Sequence, residues 1–113
     1  ERWFLTVKKG LTMAAVFEHA EFTKHLNTKF RIRVSETESL EAELVDISEH
    51  LVSPHQERFS IVFRAPNEMF LGQGQRPFEH DQMGEFTLFL VPINRDEQGT
   101  YYEAVFNRLV KKS

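Results

Sequence analysis

Apolar residues recur at every second position in several separate stretches of this 113-residue chain. A period of two places one set of side chains on one face of an extended strand and the other set on the opposite face. The segments between these stretches are rich in Gly, Pro, Asn and Asp, which favour turns, so the pattern predicts strands. The sets predicted to face inward are Phe30, Ile32 and Val34, and Phe59, Ile61 and Phe63. Two further sets each share one face of a strand: Phe86, Leu88 and Leu90, and Tyr102, Ala104 and Phe106.

Turn signals separate six or seven such strands at intervals of about ten residues. This spacing predicts a mainly β fold, and it fits a small antiparallel barrel and a two-sheet sandwich equally well. Residues 85–91 are apolar on both faces, which is typical of a strand covered on two sides, and Pro92 is expected to end that strand. The length suits one core, so we expect a single β domain over residues 13–113 after an N-terminal extension over residues 1–12.

One short helix is predicted near the N-terminus, within Ala14–Leu26. Phe22 and Leu26 are four residues apart, which places them on one helical face. Two glutamates suit the first turn, and Asn27 is able to adopt the left-handed conformation just past the helix end.

The strand that begins near Phe30 is predicted to form a hairpin with the strand that follows it, through a five-residue loop over Ser35–Ser39. Sliding this pairing by one residue would turn every apolar side chain outward, so the apolar pattern and the charge pattern both favour one register. After Leu44 the alternation slips, which predicts a bulge or a strand end near Val45. The expected cross-strand partners are Val34 and Leu40, Ile32 and Ala42, Phe30 and Leu44, Arg33 and Glu41, and Arg31 and Glu43.

The charge balance and the absence of cysteine exclude several classes of function. The net charge is −3 and the pI is about 6.0, with Lys and Arg scattered among acidic residues, so we expect no nucleic-acid partner. Without cysteine there is no disulfide, thiolate ligand or Cys nucleophile, and the compartment stays open. Apolar runs are far shorter than the ~20 residues that span a bilayer, so no membrane span is expected. The N-terminus also lacks a signal-peptide pattern.

The five histidines lack the spacing of a metal site. His19 and His25 are six residues apart, which places them on opposite sides of a helix. We therefore expect surface histidines, no metal and no cofactor. The run Glu79, His80 and Asp81 combines acid and base groups, but neighbouring residues of a strand point to opposite faces. This run is expected to be a strand end entering a turn.

No catalytic motif stands out elsewhere. Gly72 and Gly74 resemble the start of a dinucleotide fingerprint, but a third glycine is missing and Pro77 stands where a helix should begin. No serine has the context of a nucleophile elbow. Glu103 has two interpretations, a buried functional acid or a residue that faces water or pairs across the sheet. The chain is expected not to be an enzyme.

The N-terminal stretch over residues 2–9 also alternates, with Trp3, Leu5 and Val7 on one side of a predicted strand. One interpretation makes it an extra edge strand of its own sheet. The other makes it a strand that a neighbouring subunit accepts by β-augmentation, in which main-chain hydrogen bonds supply affinity and these three side chains fill pockets. Assembly into a filament or tube would follow.

Several sequence blocks support a resemblance to a known family. They are Phe22, Leu26 and Phe30; Phe59–Pro66 with Phe63, Arg64 and Pro66; Gln73; His80, Gly84 and Phe89 to Pro92; and Tyr102–Asn107. On these blocks the chain resembles an uncharacterised bacterial family of small domains of unknown function, often encoded beside tail-collar-like, microcystin-dependent proteins. The resemblance implies a single domain with no catalytic residues to carry over. The chain departs from it at Asn27, where a glycine is usual, and in Glu1–Thr12, which precede the usual start.

These observations predict a non-enzymatic structural or interaction module, a subunit of a bacterial phage-tail-like or surface assembly that self-assembles through its N-terminal strand. A small-molecule-binding β-barrel is one alternative, and it requires a roomy apolar cavity. A hydrolase or metalloenzyme is another, and it requires histidines and carboxylates converging in one cleft. Dispersal of His19, His50, His55 and His80 over the surface would count against that second alternative.

Overall fold

Eight strands and one short helix make up the described part of the chain. The computed structural model describes residues 17–109 and the backbone of residues 11–13. Within these residues, no helix is long and apolar enough to cross a membrane. The elements are β1 (Leu11–Met13), α1 (His19–Lys24), β2 (Lys29–Arg33), β3 (Ser39–Ile47), β4 (Leu51–Val52), β5 (Gln56–Ala65), β6 (Gly74–His80), β7 (Gly84–Asp96) and β8 (Gly99–Leu109).

Six of the strands form a closed antiparallel barrel. Their order around the barrel is β7, β6, β2, β3, β5 and β8, and β8 pairs with β7 to close the circle. β4 pairs with the start of β5, and β1 pairs in parallel with β7. The predicted mainly β fold with one short helix near the N-terminus is confirmed, and of the two predicted arrangements the structure adopts the barrel.

Aromatic side chains fill the barrel interior. The residues predicted to face inward are buried, except Val34, which is half-buried. The ring centroid of Phe30 lies 5.1 Å from that of Phe63 and 6.4 Å from that of Phe78. The ring of Phe78 in turn stacks on Phe86 at 5.6 Å. Such ring pairs each add about 0.5–1.5 kcal/mol beyond the burial of their surface, so the strands are held together by packing across the interior.

The helix α1 has capping interactions at both ends. At its start, the backbone N–H of Glu18 donates to the carboxylate of Glu21 at 3.1 Å. Past its end, Asn27 has a φ of 68°, so the predicted left-handed conformation is confirmed, and its N–H donates to a backbone carbonyl of β3 at 2.7 Å. The predicted helical face shared with Leu26 is wrong, because the helix ends before that residue and its side chain is 37% exposed.

Phe22 closes one end of the barrel, which we call the helix end. Its side chain is fully buried. Its ring centroid lies 5.3 Å from Phe106, 6.3 Å from Phe59 and 6.4 Å from Phe86. Since these three rings belong to β8, β5 and β7, one helical side chain packs against three barrel strands at once.

The β2–β3 hairpin has a register two residues away from the predicted one. Ile32 lies opposite Leu40, and the predicted cross-strand partners, including both Arg–Glu pairs, are wrong. The loop lies one residue earlier than predicted, over residues 34–38, and within it the hydroxyl of Ser35 accepts the backbone N–H of Glu38 at 3.1 Å. A slip of two residues keeps every side chain on its face, so the apolar alternation cannot exclude it.

β7 departs from the prediction in two ways. The side chain of Phe89 is 45% exposed, so the outer face of the strand is open rather than covered. The strand also continues past Pro92 to Asp96, because the pairing with β8 shifts between Pro92 and Asn94 and the proline falls at this irregularity of the ladder. The irregularity predicted near Val45 is confirmed, since the β3–β5 pairing shifts there.

Candidate functional site

Four polar side chains from distant parts of the sequence meet at the helix end, and we call them the rim cluster. They are His19 from α1, His50 from the segment before β4, Glu57 from β5 and Arg108 from β8. The two imidazole rings stack with centroids 4.7 Å apart and planes 9° from parallel. Glu57 joins the others, with Oε1 2.7 Å from Nε2 of His50 and Oε2 3.1 Å from Nε of Arg108.

Glu57 therefore bridges an imidazole and a guanidinium above the aromatic core. Its carboxylate only accepts hydrogen bonds, so Nε2 of His50 carries the proton in this contact. The Arg108 guanidinium carbon lies 5.4 Å from the ring centroid of Phe59 and 5.2 Å from that of Phe106. A cation over two ring faces is stabilised by the ring quadrupoles. The arrangement links a loop, β5 and β8 at the barrel mouth.

Ser48, which lies beside the rim cluster, lacks the geometry of an activated nucleophile. Nε2 of His19 lies 3.1 Å from the backbone carbonyl of Ser48, which only accepts, so this nitrogen donates. The Ser48 hydroxyl donates to the carbonyl of Glu49 at 3.2 Å and accepts the backbone N–H of Ser60 at 2.7 Å. Its hydrogen bonds thus go to the backbone rather than to an imidazole base.

No metal site is found within residues 11–13 and 17–109, because no group of three or more His, Cys, Asp or Glu side chains is placed to hold an ion. The histidines are nonetheless not dispersed. His19 lies against His50, and the ring of His25 lies 4.6 Å from that of His80. His55 is exposed. The absence of enzymatic activity stays a prediction.

His80 is buried, with 7% of its surface exposed, so the prediction of surface histidines is wrong for this residue. Its Nδ1 accepts the backbone N–H groups of Gln82 at 3.1 Å and Met83 at 3.3 Å. Its Nε2 lies 3.0 Å from the hydroxyl of Thr28, whose own proton goes to the carbonyl of His25 at 2.6 Å. Nε2 is therefore the donor, and the ring is neutral. Burial lowers the pKa of His80, and the nearby His25 lowers it further.

The adjacent acidic side chains lie on the outer wall of the barrel. Oε2 of Glu79 is 2.6 Å from Arg33, Oε1 is 3.3 Å from Arg31, and Asp81 is 3.1 Å from Arg31. Hydrogen bonds from Arg33 and then Arg31 lower the pKa of Glu79, and the hydrogen bond to Glu79 raises the pKa of Arg31. Glu79 is thus on the outer side and His80 on the inner side, as the strand alternation predicts. The three residues do not form one acid–base site.

Two grooves follow the outside of the barrel wall. One of about 240 Å³ runs beside β2, β3 and β5 and is lined mostly by charged side chains. Inside the barrel, by contrast, the side chains pack against one another. A second outer groove, of about 540 Å³, lies between the β2–β3 turn and β6. The first groove is lined by Lys29, Glu41, Glu43, Arg64, Ala65, Pro66 and Gln98.

One barrel strand has an open edge at the helix end. β8 pairs with β7 only over residues 99–103, and over Ala104–Leu109 it pairs with β5 on one side and with no described strand on the other. We call Ala104–Leu109 the β8 edge. Two of its outward side chains are apolar, Val105 at 56% exposed and Leu109 at 83%. The facing part of β7, Glu85–Thr87, pairs with β1 instead.

The predicted partner-binding residues Trp3, Leu5 and Val7 lie outside the described residues. Glu103 lies opposite Val62 and is half-buried, and it alternates along β8 with the inward side chains of Tyr102 and Ala104. It is therefore on the outer wall and not in the core.

Comparison with known proteins supplies a family. Residues 17–106 match a protein family described as a domain of unknown function, DUF6916. The chain belongs to the DUF6916 family. No curated protein and no solved structure matches it.

The match places most of the fold inside this DUF6916 domain. It begins just before α1 and ends at Phe106, so it includes five barrel strands in full and most of β8. The resemblance to an uncharacterised small-domain family of unknown function is confirmed at that level. β1, Arg108 and the last residues of the β8 edge lie beyond the matched segment.

Proposed function

We propose that this DUF6916 domain is a non-enzymatic structural module that acts by binding protein, as one subunit of a bacterial phage-tail-like or surface assembly. The observation that carries the proposal is the distribution of apolar side chains. Aromatic rings fill the barrel interior, while several large apolar side chains stand uncovered on its outside. A barrel filled in this way has little room for a small ligand, so its contacts are made by the outer wall.

The uncovered side chains favour a protein partner over a solvated wall. Single exposed apolar residues are ordinary, but several on adjoining strands mark an interaction surface. Here Val105 and Leu109 share the outer face of the open β8 edge, and Phe89 lies on the outer face of β7. Among the described residues, the full set is Leu26, Leu51, Val52, Met69, Phe70, Phe89, Ile93, Val105 and Leu109.

The N-terminal segment supplies the second half of the proposal. Trp3, Leu5 and Val7 alternate with polar and aromatic neighbours ahead of β1, as in a strand that adds to a sheet edge. We assign these three side chains to the contact between subunits. The tail-like setting follows from the resemblance to a family often encoded beside tail-collar-like proteins.

The solution mass of the full chain, measured by light scattering across a concentration series, tests this function. We expect the mass to rise with concentration, and the Leu5→Lys variant to remain a monomer. Lysine keeps the segment positively charged, so the variant removes apolar contact without removing electrostatic attraction. Thr37→Lys is the matched control, since it places the same charge on an exposed side chain of the β2–β3 turn, outside the uncovered apolar set, and should assemble like the unmodified chain.

A mass that stays monomeric at every concentration would contradict self-assembly. If the unmodified chain and Leu5→Lys assembled equally, the module would still bind protein, but Trp3, Leu5 and Val7 would have no part in it.

A further inference from the structure

We infer that the β8 edge of one copy accepts residues 2–9 of a second copy as an added strand. This inference rests on the proposed function and names its acceptor site. The copies then join head to tail, because the donor segment and the acceptor edge are different surfaces of the same chain.

The acceptor is built as an edge for strand addition. Over Ala104–Leu109, alternate backbone N–H and C=O groups point away from β5, and no described strand pairs with them. An edge of this kind is a template for another strand unless it is covered or charged. Its outward side chains are Val105, Asn107 and Leu109, which are all exposed and uncharged.

The donor fits this edge in length and pattern. The β8 edge has six residues, which extend over about 20 Å, and residues 2–9 are long enough to cover it. Trp3, Leu5 and Val7 recur at the same period of two as the outward side chains of the edge. Added strands bring such sets side by side on one face, where each apolar pair stabilises the contact.

Charge also favours the pairing. The first ten residues hold three basic groups and one acidic group, a net charge of +2, whereas the whole chain carries −3. The rest of the chain therefore carries −5. The net attraction between the donor segment and the rest of an accepting copy steers the encounter, and added salt weakens it.

The direction of β1 makes a second copy the better acceptor. β1 runs parallel to β7, and Leu11, its first residue, lies opposite Glu85 at the helix end. Docking on its own β8 edge would require a reversal at Gly10, and the reversed strand would then run parallel to β8. Docking on a second copy requires no reversal and permits the more stable antiparallel pairing.

Two variants with opposite defects test the inference. Leu5→Lys has a defective donor and an intact β8 edge, whereas Val105→Lys has an intact donor and a charged edge. Each alone should be a monomer, with apparent affinity weakened by about tenfold or more. Mixed together, they should form complexes of two chains and no larger species, since only one donor and one acceptor remain. Thr37→Lys again serves as the control, because it adds the same charge to an exposed side chain outside the uncovered apolar set.

Trp3 reports the docking directly, because it is the only tryptophan in the chain. Its emission should shift to shorter wavelength as the unmodified chain is concentrated, and the shift should be absent in Val105→Lys. If Val105→Lys lost its native circular dichroism, Leu109→Lys would replace it, since Leu109 is 83% exposed.

The outcomes separate the inference from the function on which it rests. Assembly of Val105→Lys and Leu109→Lys at the affinity of the unmodified chain would overturn the acceptor site and leave the structural module intact. If Leu5→Lys formed dimers by itself, two β8 edges would be pairing with each other, and the assignment of residues 2–9 as the donor strand would be overturned. A shift of the Trp3 emission while the chain is still a monomer would indicate that residues 2–9 dock within their own chain. It would overturn the second copy as the partner. An unmodified chain that never assembled would remove both proposals.

Discussion

His80 should make the stability of the barrel depend on pH in a defined direction. Its pKa is lowered in the folded state, first by burial and then by His25, while in the unfolded chain its pKa is near 6.5, the usual value for histidine. Asp81 opposes this shift and Arg31 adds to it, without reversing its direction. Between the two pKa values the unfolded chain binds more protons than the folded one. The stabilisation is therefore complete above pH 6.5 and is lost as the pH falls below it.

The hydrogen bonds of the ring set the size of the effect. Protonation of Nδ1 would remove the acceptor of two backbone N–H groups, those of Gln82 and Met83. A buried donor left without an acceptor costs about 1–3 kcal/mol. One group that differs by one proton between the states changes the free energy of unfolding by at most about 1.4 kcal/mol per pH unit.

Urea unfolding followed by circular dichroism, from about pH 7.5 to about pH 5, measures this slope. Replacing His80 by Asn removes the titrating group, so the variant should be less stable at neutral pH but should lose less stability on acidification. His55→Asn is the control, because His55 is exposed and its removal should leave the slope unchanged. Equal slopes for His80→Asn and the unmodified chain would refute the neutral, buried assignment.

Three further predictions concern packing and hydrogen bonding, each measured by urea unfolding. Phe22→Ala should cost about 3–5 kcal/mol, because it leaves a cavity among the rings of Phe59, Phe86 and Phe106, and a loss below about 1 kcal/mol would contradict its role in closing the barrel. Gly99→Ala should cost about 1–3 kcal/mol, because the new Cβ would lie 2.5 Å from the carbonyl oxygen of Ala65; an unchanged midpoint would be the contrary result. Tyr102→Phe removes the hydroxyl that accepts the N–H of Leu71 at 3.0 Å and should cost about 1–3 kcal/mol, with faster amide exchange at Leu71 as the independent check.

Side-chain alternation was sufficient to predict which residues form the core, because it depends only on near neighbours in sequence. Phe59, Ile61 and Phe63 are buried as expected. Register was a different matter. If Ile32 pairs with a residue two positions from its observed partner, every side chain stays on the same face of its strand. Only the turn at Ser35 distinguishes the two registers. Closure of the barrel could not be predicted from side-chain alternation either, since it depends on pairing between strands far apart in the chain.

The rim cluster was not predicted from the sequence, because the spacing of residues within a short stretch reveals only sites whose members are close together in the chain. His19 and His50 are 31 residues apart and meet only after the barrel closes. A local signal was nonetheless present. Glu57 comes two residues before Phe59, and Arg108 comes two residues after Phe106, so both continue the inward phase of their strands. A charged residue in the inward phase at a strand end indicates a polar contact at the barrel mouth.

The pairing of β5 with β8 also has a consequence for how the chain folds. It is the most extensive strand pairing of the barrel, with ten residue pairs from Gln56 and Leu109 to Ala65 and Thr100. Its partners are 35 to 53 residues apart, so the loop-closure entropy is lost before the pairing stabilises the chain. During synthesis on the ribosome, β5 therefore cannot pair with β8 until β8 has emerged. Until then the inward phenylalanines of β5 stay uncovered on the side where β8 will pack.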